Sequence, residues 1–105
     1  MVTPRMAQIV HEFKKAVSEK YVLSDMWLFG SNARGDATEE SDIDIFLQVA
    51  HLTKDTEQDV YNIAYDLELK YDCLIDVIVL SDTVVKTHAP HLPIYHNIIR
   101  EGVRI

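Results

Sequence analysis

Ser41-Asp42-Ile43-Asp44-Ile45-Phe46-Leu47 and Leu74-Ile75-Asp76-Val77-Ile78-Val79 are the two stretches on which the fold turns. Each is an apolar, β-branched run interrupted by aspartate. Side chains alternate faces along a strand, so Asp42 and Asp44 project one way, while Ile43, Ile45 and Leu47 project the other way into a core. At a rise of about 3.4 Å per residue the two carboxylates stand roughly 7 Å apart. Propensity and burial both disfavour aspartate inside such strands. Violations at Asp42 and Asp44, and again at Asp76, mark a site, because local rules are broken where function demands it.

Working outward, strands are predicted over residues 42–49 and 74–80, joined by a helix from about Asp55 to Tyr71. Val60, Ile63, Ala64, Leu67 and Tyr71 form its buried stripe. Asp55, Glu57 and Asp59 sit near its start, where the helix dipole favours negative charge. A strand, a long helix and a strand imply a right-handed parallel crossover. Upstream, Met26-Trp27-Leu28-Phe29 reads as a strand buried on both faces and ended by Gly30. The polar link from there to Asp42 is compatible with either strand direction. Thr3-Pro4 reads as the cap and first turn of a helix carrying Met6, Ile9, Val10, Phe13, Val17 and Tyr21. Beyond Ser81 the pattern weakens until Ile94 to Arg100, a short helix stopped by Gly102. Repeats and linkers are absent, so residues 1–105 are expected to form one α/β domain.

Gly30-Ser31 adds chemistry to this frame. Gly30 permits a sharp bend and close approach of a phosphate, and Ser31 offers a hydroxyl and an amide at an anion-binding position. A tight turn followed by carboxylates at i, i+2 is a way to hold a nucleoside triphosphate and its magnesium ions. Two metal ions about 3.5–4 Å apart can be bridged across the aspartate spacing, relieving a repulsion that otherwise raises a carboxyl pKa. Asp76 joins the set if its strand lies beside the second one, as ligand and as base for an attacking hydroxyl. The bland alternatives are a strand start at Asp42, an exposed edge at Asp44 and an edge charge at Asp76. Arg34 either contacts phosphate or pairs with Asp36, Glu39 or Glu40 on the surface. Asp72 belongs to the turn after the long helix. His88, His91 and His96 lack an evident fourth zinc ligand, since sequence does not place Cys73 or His51 beside them, and they read as surface residues, as do His11 and His51. Tyr61 and Tyr65, at i, i+4 on the long helix, read as packing or interface.

Composition bounds the function. At 105 residues the chain supports one modest core, and 48% hydrophobic content fits a soluble globule. No apolar run approaches the roughly 20 residues of a membrane span. Residues 1–6 lack a secretory pattern, and the single Cys73 excludes an internal disulfide, so cytoplasm is expected. The net charge of −7 makes duplex nucleic acid a poor partner and suits a basic protein.

Gly30-Ser31-Asn32-Ala33-Arg34-Gly35, Ser41-Asp42-Ile43-Asp44-Ile45, Asp76 and the ending Pro93-Ile94-Tyr95-His96-Asn97-Ile98-Ile99-Arg100-Glu101-Gly102 together resemble the minimal nucleotidyltransferases (MNT) of the DNA polymerase beta superfamily. The likeness runs from about residue 6 to residue 105. It implies a small mixed three-stranded sheet flanked by helices. It implies transfer of AMP from ATP to a hydroxyl with two Mg2+ ions. Asp42 and Asp44 would hold both metals, Asp76 the one at the nucleophile, and Gly30 and Ser31 the β- and γ-phosphates. Many members carry a basic residue where this chain has Asn32, a departure that weakens the triphosphate grip. The resemblance further implies an antitoxin role, with a HEPN-domain ribonuclease toxin as partner and a toxin tyrosine as acceptor, in a homo- or hetero-oligomer. With one domain expected, the acceptor must arrive on another molecule. The alternatives are a non-catalytic antitoxin that binds without chemistry, a nucleotidyltransferase acting on RNA, and a transferase for a small molecule.

Overall fold

The computed structural model describes residues 3–30 and 42–105. Its framework is a four-stranded mixed sheet in the order β3-β2-β1-β4. The strands are β1 (Leu23–Phe29), β2 (Ile43–Val49), β3 (Ile75–Ser81) and β4 (Val103–Arg104). The helices are α1 (Pro4–Ser18), α2 (Lys54–Tyr71), α3 (Asp82–His88) and α4 (Pro93–Glu101), with a 3-10 turn at Ala89–His91. β1 and β2 are antiparallel, whereas β2 and β3 are parallel, as the long intervening helix requires.

One face of the sheet holds the core. α1 contributes Met6, Ile9, Val10, Phe13 and Val17, and α2 contributes Val60, Ala64 and Leu67. They close over Met26, Leu28, Ile43, Ile45, Leu47, Val49, Ile75 and Val79. Thr3 caps α1, its hydroxyl accepting from the Met6 amide at 3.2 Å, ahead of Pro4 at the start of the helix. Thr53 caps α2 in the same way through the Thr56 amide at 3.1 Å. Asp72 ends α2 in the left-handed conformation, so it is the turn residue that the sequence implied.

Three expectations need correction. β1 is not buried on both faces: Met26 and Leu28 enter the core, but Trp27 and Phe29 are only half-buried on the other side. The sheet has a fourth strand. β4 pairs with β1 at Trp27 and Leu28, and Asp25 clasps it by accepting from Arg104 Nε at 2.9 Å. Asp25 also accepts from Trp27 Nε1 at 2.9 Å and from the Met26 amide at 3.0 Å, next to an irregularity in the β1–β2 pairing. Thirdly, residues after Ser81 are not patternless. Ser81 Oγ accepts from the Val84 amide at 3.2 Å and caps α3. α4 does stop at Gly102, whose amide donates to Ile98 O at 2.7 Å. Its φ of −78° shows that glycine is needed there for room: a Cβ would collide with Ile98 O and crowd Leu28 O.

Candidate active site

The opposite face of the sheet carries the carboxylates. The parallel register sets Asp44 against Asp76, Phe46 against Ile78 and Gln48 against Leu80. Paired residues on neighbouring strands share a face. Asp44 and Asp76 therefore point to the same side, away from Ile43, Ile45, Ile75 and Val79. The antiparallel register on the other flank of β2 sets Phe29 against Asp44, so the turn at Gly30 begins beside that carboxylate.

Gly30 has a φ of +75°. A Cβ there would overlap Asp44 Oδ2. Conformation and space both demand glycine, and the bend and the acid occupy one location. Asp42 stands just before β2, with its carboxyl within hydrogen-bonding reach of that of Asp76. Asp76 is exposed as a residue. Even so, its carboxyl is held above the usual carboxylate range, first by lost hydration, then by the charge of Asp42 and the hydrogen-bonding contact with it, and last by Glu68. Three acids thus lie together on one face. Among the described residues no three acidic, histidine or cysteine side chains close on a common centre.

Glu68 is a member of this region that sequence reasoning passed over. Its Oε2 accepts from the Ile75 amide at 2.8 Å, and its carbonyl accepts from the Cys73 amide at 3.2 Å. The α2–β3 turn is fastened through one residue, immediately before Asp76. Nothing in the local sequence announces this, because the partner is a backbone amide that only the turn geometry supplies. Phe46 is likewise unforeseen. It lies buried on the acid-bearing face under Tyr95 of α4, with ring centroids 5.8 Å apart at 71°. Phe46 and Tyr95 thus cover one end of the acid-bearing face.

Ser31 and Arg34, the other proposed phosphate contacts, lie outside the described residues, as does Asn32. His11, His51, His88 and His91 are exposed, and His96, also exposed, bonds to Pro90 O at 2.8 Å. Tyr61 and Tyr65 are exposed on α2 and do not belong to the core.

Residues 10–103 match the family described as the nucleotidyltransferase domain. This chain belongs to the nucleotidyltransferase family. Two relatives from Methanocaldococcus jannaschii, both named as candidate protein adenylyltransferases, support the assignment. One is 42% identical over 73% of this chain and 81% of its own length; the other is 36% identical over 89% and 90%. A solved nucleotidyltransferase from Sulfolobus solfataricus is similar at a TM-score of 0.58 and 24% identity, covering 95% of this chain and 78% of that one. A toxin–antitoxin crystallised with AMP-PNP is similar at a TM-score of 0.61 and 19% identity, covering 88% and 68%. A variant of the MntA–HpeT toxin–antitoxin reaches 0.62 at 19% identity, covering 94% and 69%. At these identities the structures establish the shared nucleotidyltransferase fold. No described helix is long and apolar enough to cross a membrane.

Proposed function

We propose that the chain, as a single domain, is a magnesium-dependent protein adenylyltransferase. It moves AMP from ATP to a hydroxyl on a HEPN-domain toxin in the cytoplasm and so serves as the antitoxin. The observation that carries this is the meeting of Asp42, Asp44 and Asp76 on one sheet face beside the Gly30 bend. The names of the relatives support a protein acceptor, and the toxin–antitoxin neighbours support a toxin.

The donor set suits a hard divalent cation, since carboxylates are its preferred ligands. The charge of Asp42 helps to raise the Asp76 carboxyl pKa, because two adjacent anions repel, and a bound cation would relieve that repulsion. Asp42 and Asp44 would hold two Mg2+ ions, with Asp76 serving the one nearest the acceptor. Bound there, the metals supply charge neutralisation at the phosphates and lower the pKa of the attacking hydroxyl. Asp76 accepts that hydroxyl's proton, directly or through water. The freed oxygen forms a bond to the α-phosphorus, the α–β bridging bond breaks, and pyrophosphate leaves with the electron pair. Gly30 leaves to the Asp44 carboxylate the space a Cβ would fill, and Gly30 and Ser31 are assigned to the β- and γ-phosphates, with Arg34 as a further phosphate contact.

The test is incubation with [α-32P]ATP, Mg2+ and the toxin encoded beside this chain. Label should pass to the toxin and abolish its ribonuclease activity. Asp44→Ala should transfer none, and EDTA should stop the wild type. Label transfer by Asp44→Ala at the wild-type rate would overturn the assignment. So would a folded triple Asp→Ala variant that still neutralises the toxin, which would make the chain a blocking partner without chemistry.

A further inference from the structure

The outward side of α2 bears an apolar row that the fold leaves uncovered. Tyr61, Tyr65 and Leu69 are 41%, 58% and 68% exposed. They are spaced i, i+4, i+8, so they climb about 12 Å along the helix and drift slowly around it. The two flanks of α2 are distinguishable. On one, Asp59 pairs with Lys20 at 3.3 Å and Lys70 with Glu12 at 3.0 Å, so that flank faces α1. Glu68 lies on the other flank, within about 20° of Tyr61 on a 3.6-residue helix, and reaches the amide of Ile75 in β3. The row therefore starts on the β3 side, and β3 is the edge of the sheet. Leu74, 60% exposed, is a further uncovered apolar residue, in the turn between α2 and β3.

The row's surroundings are acidic. Glu57 and Glu68 border it on the β3 side, Asp55 and Asp66 on the other, and Asp72 at its end. Of the nearby cations, Lys70 is engaged by Glu12, Arg5 donates to Tyr71 O, and Lys54 stands at the far end of the helix. A second copy, also at net charge −7, would bring like charges into register. Anionic membranes and nucleic acid are repelled for the same reason.

We propose that Tyr61, Tyr65, Leu69 and Leu74 form the docking strip for a basic polypeptide whose apolar side chains cover the row, anchoring the protein acceptor to this chain. This rests on the protein-directed transfer proposed above. Aromatic and leucine anchors ringed by acids provide the attraction and the register.

The test titrates the 15N-labelled chain with a designed leucine–lysine amphipathic helix and with its leucine–glutamate twin. Amide shifts should concentrate in residues 61–74 for the lysine peptide and be absent for the twin. Leu69→Ser with Leu74→Ser should weaken binding about tenfold, the loss expected for two anchors of modest burial. Glu57→Lys with Asp66→Lys should reverse the preference between the peptides. Shifts centred elsewhere, equal binding of both peptides, or unchanged affinity in the leucine variant would overturn the proposal. A sedimenting wild-type dimer that the leucine variant dissociates would also overturn it, by giving the strip to a second copy. Because the titration contains no ATP, Asp44→Ala should bind the peptide like wild type. A failed label-transfer assay with intact peptide binding then counts against the chemistry and leaves the strip standing.

Discussion

Gly30 and Asp44 share a space in which only a hydrogen fits. Gly30→Ala places a methyl group against Asp44 Oδ2 and forces an L-residue to a φ of +75°. The left-handed conformation alone costs about 1–2 kcal/mol, and the displaced carboxylate adds to it. Urea unfolding should show a loss of at least that size, with label transfer falling further than stability does. A variant that unfolds and transfers like wild type would separate the bend from the acids. Asp76 makes a second prediction, through pH. Its folded pKa is raised, chiefly by lost hydration and then by Asp42, so the neutral form is the one the fold favours. That contribution is complete below the ordinary carboxylate value of about 4 and is lost as pH climbs through the raised value. Asp76→Asn removes the titration. In EDTA its melting temperature should exceed that of wild type at pH 7 and approach it at pH 4, while transfer is abolished. Parallel melting curves across that range would show that the carboxyl is not coupled to folding.

Among the elements, α1, α2 and the three longer strands were legible because each carries an apolar period sustained over several residues. The acids were legible because they break that period. α3 and β4 were not. α3 buries none of its residues, so no stripe announces it, and its cap is Ser81, which is also the last residue of β3. Ser81→Ala should therefore destabilise by about 1 kcal/mol through loss of the cap, read by thermal melting. No change would mean that Asp82, which accepts from Gln48 Nε2 at 2.8 Å, fixes α3 without it. β4 is two residues long, and its partner Asp25 reads in sequence as one more surface acid. The α1–α2 junction supplies a pH test of opposite sign to Asp76. Asp59 accepts from Tyr21 Oη at 2.7 Å and pairs with Lys20, which hold its carboxyl below the usual range, Tyr21 first. Such a group stabilises above the unfolded carboxylate pKa of about 4, and its contribution fades as pH falls through the lowered folded value. Tyr21→Phe should move the acid-unfolding midpoint to higher pH and leave the Mg2+ dependence of transfer alone. An unmoved midpoint would leave the bond without thermodynamic weight.

At the scale of the molecule the sheet divides labour between its faces. α1 and α2 close the face that stabilises, and the acids occupy the other face, together with the Phe46–Tyr95 contact. The two faces meet in alternate residues of β2. Strand alternation made this division readable at Asp42, Asp44 and Ile45, whereas the register that brings Asp76 opposite Asp44 depends on how the crossover docks, which no local pattern encodes. Ile45 is fully buried and immediately follows Asp44. Ile45→Val deletes one methylene from the core and should cost about 0.5–1.5 kcal/mol in urea unfolding. If the backbone of β2 is held by its hydrogen bonds to β1 and β3, that loss stays on the core side. The label-transfer rate per folded molecule and the Mg2+ concentration for half-maximal rate should then match wild type. Asp44→Asn should show the reverse, a nearly unmoved melt and no transfer. A raised Mg2+ requirement in Ile45→Val would mean that core packing sets the carboxylate spacing through β2, and that the two faces of the sheet do not act independently.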